Sequence, residues 1–211
     1  MPPPTTIAFI PASSTDVEDS TPVDYSCRET RSTVRKDLIT DAAIRIVAEQ
    51  GMRGLTHRAV DREAGLPEGS TSAYFRTRKA LIEGFVERLA VQEQQEIVLD
   101  QDDLAGGIAK TIDGWLVERN RTLARYAAML EATHHPELKS ILVHSPREQA
   151  TALARALGHE SPEHAGAHFT AFIEGLLFYR LVGGGSTTGP RPGTEESLRD
   201  LKKAVEKVLR P

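Results

Sequence analysis

The chain has 211 residues, of which 39% are hydrophobic and 27% charged, with a formal net charge of −4 and a single cysteine. That length accommodates one or two domains with a sizeable core, and the lone Cys27 excludes an internal disulfide framework or a zinc site built on a cysteine pair. No apolar run approaches the about 20 residues of a membrane-spanning helix, and no basic region precedes the short Ile7–Ile10 patch as it would in a secretion signal. A cytoplasmic protein with no membrane partner is expected.

The charge is unevenly spread. Residues 1–27 contain no Lys or Arg and four acids, Asp16, Glu18, Asp19 and Asp24. Residues 28–90 hold 12 basic and 9 acidic residues, whereas residues 91–211 hold 14 and 17. A basic stretch on an otherwise acidic chain suits a local contact with nucleic acid.

Residues 1–31 are rich in Pro, Ser, Thr and acids without apolar periodicity, so they read as a disordered acidic tail. Regular structure is predicted to start near Ser32 or Thr33. Val34, Leu38, Ala42, Ile46 and Val47 form a helical stripe, joined by Ile39 and Ala43, and Gly51 closes this first helix. Thr56 then suits the N-cap of a short helix carrying Ala59, Val60 and Ala64. Gly65 supplies the left-handed residue that ends it, and Leu66 packs back over the turn. Pro67 fits the first position of another helix, running to about Ala73 with Gly69, Ser70, Thr71 and Ser72 on a small polar face. Tyr74 and Phe75 close it.

Helix, tight glycine-containing turn, helix is the layout of a helix-turn-helix, which lays its second helix in the DNA major groove. Small side chains allow that helix to approach base edges, and Ser or Thr hydroxyls there can donate or accept. Arg76 and Arg78 follow at the place of flanking phosphates. The plainer reading is a helical hairpin of any all-helical protein, which the turn residues and flanking arginines make the weaker one.

The run beginning at Leu38, with Ala42-Ala-Ile44, Ala48-Glu-Gln-Gly51, Leu55-Thr56, Ala59-Val-Asp-Arg-Glu-Ala-Gly-Leu66, Gly69-Ser70 and Tyr74-Phe-Arg-Thr-Arg-Lys-Ala-Leu81, resembles the N-terminal domain of the TetR family of bacterial repressors. The resemblance covers about Thr33 to Leu89. It implies an all-α homodimer, with a three-helix DNA-binding head joined by a long fourth helix to a larger ligand-binding and dimerising body. Two positions depart from the family pattern: Ser72 stands where an aromatic is common, and Glu68 where a basic or polar residue is frequent. Ser70, Thr71 and Ala73 are expected to face bases, with Gly69 also at the DNA. Arg58, Tyr74, Thr77 and Arg78 hold the DNA backbone, with Arg76 as a further candidate. The expected division is a tail over 1–31, a DNA-binding domain over 32–76 and a ligand-binding and dimerisation domain over 77–211.

Thr77 suits the N-cap of the long connecting helix, which buries Leu81, Ile82, Phe85, Val86, Leu89, Ile97 and Val98. Asp102 or Asp103 starts the next helix, with Leu104, Ile108, Ile112, Trp115 and Leu116 inward, and a helix over Asn120–Ala132 follows. His134-His135-Pro136 interrupts the pattern. Short helices are predicted from Pro136 to Val143 and from Pro146 to Leu157. The helix opened by Ser161-Pro162 is apolar nearly all round, which requires cover on several faces. By resemblance, it and the 146–157 helix pair with their copies in a dimer. Gly183–Gly193 reads as a flexible loop, and Thr194 caps a final helix.

A ligand pocket needs an apolar space with a few polar tips. Trp115, Tyr126, Met129, Phe169 and Phe172 are the candidates, although aromatics at helical spacing are more often core. Few charges are expected on the inner faces, which favours an apolar or aromatic effector. His164 and His168 share a helix face, but nothing at a suitable spacing completes a metal site; neither a metal nor a cofactor is expected. Gly183-Gly-Gly-Ser186 lacks the strand, helix and lysine of a phosphate loop, and no Gly-x-Ser-x-Gly elbow occurs, so an enzyme is not expected. The residues therefore point to a sequence-specific transcriptional regulator that binds a double-stranded operator as a homodimer, a repressor released by a small effector. The alternatives are a DNA-binding dimer without an effector, or an α-helical interaction module.

Overall fold

The computed structural model describes residues 25–95, 98, 100, 102–134 and 147–209, and these form helices and turns with no strand. Residues 1–24 of the expected tail and the helix expected over 136–143 lie outside the described residues. The elements are α1 (Tyr25–Gly54), α2 (His57–Glu63), α3 (Ser70–Tyr74), α4 (Arg78–Gln95), α5 (Leu104–Val117), α6 (Arg119–Glu131), α7 (147–156), α8 (Pro162–Leu181), α9 (Gly185–Thr188) and α10 (Glu195–Val208). The all-α expectation holds.

Helix α1 starts at Tyr25, ahead of the expected start near Ser32. The regular ladder ends where predicted, because Gly51 is non-helical (φ 68°, ψ −177°) and only a short turn follows to Gly54. Its packed stripe is Ile39, Ala42, Ala43, Ile46 and Val47, whereas Val34 and Leu38, further toward the N-terminus, are 63% and 38% exposed. Helix α4 is described from Arg78 to Gln95, and the expected Ile97 lies outside the described residues. Val98 lies off the helix and is exposed; its backbone N–H donates to the buried Thr111 Oγ1 at 2.9 Å. A side chain at Gly107 would run into the Val98 carbonyl, its Cβ coming within 2.7 Å. The chain therefore leaves the helix to dock on the start of α5.

Two apolar cores result. The first joins α1, α2 and α4 through Ile39, Val47, Leu55, Val60, Leu81, Phe85 and Leu89, and takes Ala124, Ala128 and Ala132 from α6. The second joins α5, α8 and α10 through Ile108, Ile112, Leu116, Leu177, Leu201 and Val205. Helix α6 belongs to both, since its Leu123 and Tyr126 pack against the second core. The segment 183–193 is more ordered than expected of a flexible loop. It contains the short α9, and the buried Arg180 holds it by donating to the Pro190 carbonyl (2.6 Å), to Ser197 Oγ (3.1 Å) and to Asp200 (2.7 Å). Ser197 Oγ in turn donates to the buried Asp113 at 2.6 Å.

Candidate nucleic-acid interface and regulatory body

The α2–α3 unit is built by α2 gripping α3 at both ends. Thr56 caps α2 as predicted, its hydroxyl accepting from the Ala59 N–H at 3.2 Å. Gly65 turns the chain with φ 65°. Pro67 and Glu68 form a turn rather than the first helical residues, and α3 begins only at Ser70 with Gly69 as its N-cap. Gly69 has φ 89°, a left-handed value that strains any residue with a side chain. A glycine cannot cap with a side chain, so the cap comes from α2 instead. Asp61, 2% exposed, accepts from the Gly69 N–H at 2.8 Å and from the Thr71 N–H at 2.7 Å. The Thr71 hydroxyl also donates to it, at 2.6 Å. At the far end of α3, His57 Nε2 donates to the Phe75 carbonyl at 2.6 Å. Phe75 lies against α4, where a side chain at Gly84 would meet its ring, the Cβ falling 2.3 Å from Cε1.

Burial alone pushes the Asp61 carboxyl up, but its hydrogen bonds from Thr71 and Gly69 outweigh that and hold it below the usual carboxylate range. Asp61 is the functional residue that sequence reasoning passed over. The available signal was an acid on α2, four residues before the turn glycine, facing a segment that has no side-chain cap of its own.

These contacts correct one expectation. Thr71 is fully buried and spends its hydroxyl on Asp61, so it cannot face bases. Gly69, Ser72 and Ala73 are exposed on the outer side of α3, with Ser70 half-buried beside them and Tyr74 36% exposed. Arg58, Arg76, Thr77 and Arg78 are all exposed around this face. Arg58 sits 3.3 Å from Glu68, both largely in solvent, a pairing that contributes little stability. Arg78 donates one N–H to the Met52 carbonyl at 2.7 Å; a guanidinium has five such donors, leaving others for phosphate. The Thr77 hydroxyl accepts from the Ala80 N–H at 3.1 Å and so caps α4 as predicted. The surface thus offers small groups at its centre and cations at its edge, the arrangement that reads base edges while neutralising phosphates.

Helix α4 is tied back to α1 by Arg88. Its guanidinium donates to both carboxylate oxygens of Asp41, at 2.8 and 3.1 Å, and reaches Asp37 at 3.2 Å. At the other side of α6, Arg125 is 5% exposed and holds Glu93 of α4 at 3.1 Å and Glu174 of α8 at 2.5 Å. Burial disfavours the Arg125 charge, but the two carboxylates more than offset it and keep the guanidinium protonated beyond its usual range. Burial and the neighbouring Glu174 push the Tyr126 hydroxyl up, so it stays a donor; it donates to the Glu174 carbonyl at 3.2 Å.

The five expected ligand residues are not brought to one place. Trp115, Tyr126, Phe169 and Phe172 pack against the second core, whereas Met129 packs against the first, with Arg125 donating to its sulfur at 3.3 Å. Phe169 lines a cleft of about 380 Å³ with Leu153, Leu157, His168 and Leu209, and the other four do not. The Trp115 Nε1 is buried without a hydrogen-bond partner among the described residues. The expected scarcity of inner charges is also corrected: Asp113, Arg121, Arg125 and Arg180 are buried. They flank apolar positions on their helices; Asp113, Arg125 and Arg180 are compensated by the bonds described above. His164 and His168 are exposed, and no cluster of three metal-ligating side chains occurs among the described residues.

One face of α8 is exposed. His164, His168, Ala171, Gly175, Phe178 and Val182 are all exposed, alternating four and three residues apart, the seam spacing of paired helices. Phe178 and Val182 are 54% and 45% exposed, with Tyr179 beside them at 52%.

The fold and this surface define a helix-turn-helix DNA-binding regulator with a helical body. Residues 39–84 match the family of bacterial regulatory proteins of the tetR type, and residues 99–204 match the tetracyclin repressor-like C-terminal domain. The chain belongs to the TetR family. It is 25% identical over 164 residues to the HTH-type transcriptional regulator BetI of Escherichia coli strain K12, covering 72% of this chain and 84% of that one. Among solved structures, a TetR-family member from Streptomyces coelicolor A3 is 24% identical with a TM-score of 0.65, covering 84% of this chain and 99% of that one. The multidrug binding protein EbrR, solved with ethidium, is 23% identical with a TM-score of 0.61 and the same coverage. No helix among the described residues is long and apolar enough to cross a membrane.

Proposed function

We propose that the chain is a homodimeric, sequence-specific repressor acting in the cytoplasm, released from its DNA operator when a small apolar or aromatic molecule binds its body. The observation that carries the reading is the outer face of α3: small exposed groups at Gly69, Ser72 and Ala73 inside a rim of Arg58, Arg76 and Arg78. The head spans about 32–76 and the body about 77–211. Gly69, Ser70, Ser72 and Ala73 meet base edges, and Arg58, Tyr74, Arg76, Thr77 and Arg78 hold phosphates. Two copies pair through the exposed seam of α8, placing their heads about one helical turn, roughly 34–36 Å, apart on a pseudo-palindromic site. The effector meets the aromatic side chains of the second core, Trp115, Tyr126, Phe169 and Phe172; the solved complex of EbrR with ethidium supports a flat aromatic ligand in this architecture. Effector binding favours a head spacing that no longer fits the operator.

The test is selection of bound sequences from a random duplex pool by the purified protein at near-physiological salt. Recovery of a two-fold symmetric site is expected, and failure of the folded, ligand-free protein to enrich any sequence overturns the reading. Thermal shift and DNA release are then measured across a panel of aromatic and apolar compounds. A panel without effect removes the effector and leaves a DNA-binding dimer.

A further inference from the structure

We propose that Arg125 is a positioning residue: it sets where α4, and with it the helix-turn-helix unit, stands relative to α8, so that a change on the body side bears on the DNA-reading end through this side chain. The inference rests on the reading of the chain as a DNA-binding regulator.

Helix α6 is the wall shared by the two cores. Its Ala124, Ala128 and Ala132 are buried in the first, and Leu123 and Tyr126 pack on the second. Arg125 sits between these faces with one arm on each side, Nε 3.1 Å from Glu93 and Nη2 2.5 Å from Glu174. Glu93 lies in the last turn of α4, and Arg88 ties the same helix to Asp37 and Asp41 of α1. Displacement of the Glu93 end therefore carries α1 with it. On the other side the contact continues outward. The Arg125 guanidinium lies over the Tyr126 ring, 5.0 Å from its centroid, and the Phe178 ring meets Tyr126 edge-on at 5.7 Å and 86°. Phe178 belongs to the exposed seam of α8.

A buried guanidinium that loses one of its carboxylate partners keeps a single ion pair but leaves some of its N–H donors unsatisfied, so a shift of α8 is opposed unless Arg125 and α6 follow Glu174, which pulls in turn on Glu93 of α4. The two acids reach Arg125 from different helices, and the planar fork of arginine can hold both. A lysine ammonium is a single point charge and cannot keep both geometries.

The experiment uses the full chain and its Glu174→Gln, Glu93→Gln and Arg125→Lys variants, with amide hydrogen exchange as the first readout. Glu174→Gln changes α8 only, yet it is expected to speed exchange in residues 88–95 of α4 by about five-fold or more, with α5 and α10 unchanged. Glu93→Gln is expected to act in reverse, on residues 174–178, which keeps the test open if one variant folds poorly. Arg125→Lys is expected to do both. The second readout is affinity for the two-fold site enriched by the wild type, expected to fall about ten-fold in each variant while affinity for an isolated half-site is kept. Unchanged α4 exchange in a folded Glu174→Gln protein overturns the inference, as does equal acceleration in α5 and α10, which marks general loosening. If the wild type enriches no DNA, the regulator reading fails, and the exchange measurement still decides whether Arg125 couples the helices.

Discussion

Thr71 and Asp61 face each other inside the helix-turn-helix, where the N–H and the hydroxyl of Thr71 both donate to Asp61 Oδ1, at 2.7 and 2.6 Å. A residue that looks like a base reader in sequence is the anchor of the reading helix. Thr71→Val keeps the shape and removes the hydroxyl, so it is expected to cost about 1–2 kcal/mol of stability. Asp61→Ala leaves three donors unmade, two of them the buried N–H and hydroxyl of Thr71, and is expected to cost more, about 3 kcal/mol. Urea unfolding followed by circular dichroism measures both. A Thr71→Val protein of unchanged stability but altered operator preference would return Thr71 to the bases.

The same pair has a pH signature. Asp61 has its folded pKa depressed, so its contribution is fully present above the unfolded value, about 3.9. It is lost as pH falls through the lower folded value, because the unfolded chain then takes up the proton more readily. The stability gap between wild type and Asp61→Asn is therefore expected to be widest near neutral pH and to narrow below about pH 4. Urea midpoints of the two proteins compared across that range decide it; a gap independent of pH contradicts a charged Asp61.

The legible parts were those governed by local rules. Thr56, Thr77, Asp103 and Thr194 were readable as caps, and each accepts the expected backbone N–H. Gly65 was readable as a turn because a left-handed residue follows an apolar helix. The missed features depend on contacts between distant residues. Whether the Thr71 hydroxyl points in or out turns on Asp61, ten positions earlier, and nothing in helical periodicity decides it. Val98 continues the apolar pattern of α4, yet its N–H is claimed by Thr111 of the next helix. Buried charge was missed for the same reason: Arg125 is acceptable inside only because Glu93 and Glu174 arrive from two other helices.

Arg76 and Arg78 should be separable. Both stand exposed at the rim of the reading face, but only Arg78 is seen donating to the Met52 carbonyl, at 2.7 Å. Either change to alanine is expected to weaken binding to all duplexes and to shallow the dependence of log K on log salt by about 0.9 per lost phosphate contact. Arg78→Ala is also expected to lower stability by about 1 kcal/mol, since the Met52 carbonyl loses its charged donor. Affinity measured across a salt series, with thermal unfolding of each variant, separates the two roles. An unchanged salt slope in both variants would remove them from the interface.

The α8 seam predicts how assembly fails. Gly175 and Phe178 lie on the exposed face with Ala171 and Val182. A charge in such a seam must be desolvated against apolar neighbours, a large penalty without a partner. Phe178→Asp is therefore expected to yield monomers by light scattering and to lose the two-fold operator while keeping weak binding to a half-site. A dimer that survives both Phe178→Asp and Gly175→Asp places the interface elsewhere.

Glu68 is an exposed acid just before the reading helix, 3.3 Å from Arg58. It acts on DNA in two opposed ways: its charge repels phosphate, and it occupies a guanidinium that would otherwise reach the backbone. Glu68→Gln removes both effects without changing size. Its structural cost is small, because exposed pairs of this kind contribute about 0–1 kcal/mol. Affinity for operator and for unrelated duplex is therefore expected to rise together by a few-fold, and the salt slope to steepen by about one released counterion as Arg58 engages a phosphate. Binding isotherms on two unrelated duplexes over a salt series read this directly. If Glu68→Gln instead alters preference at one base pair and leaves unrelated duplex unaffected, the carboxylate is itself accepting from a base, as it can from a cytosine amino group.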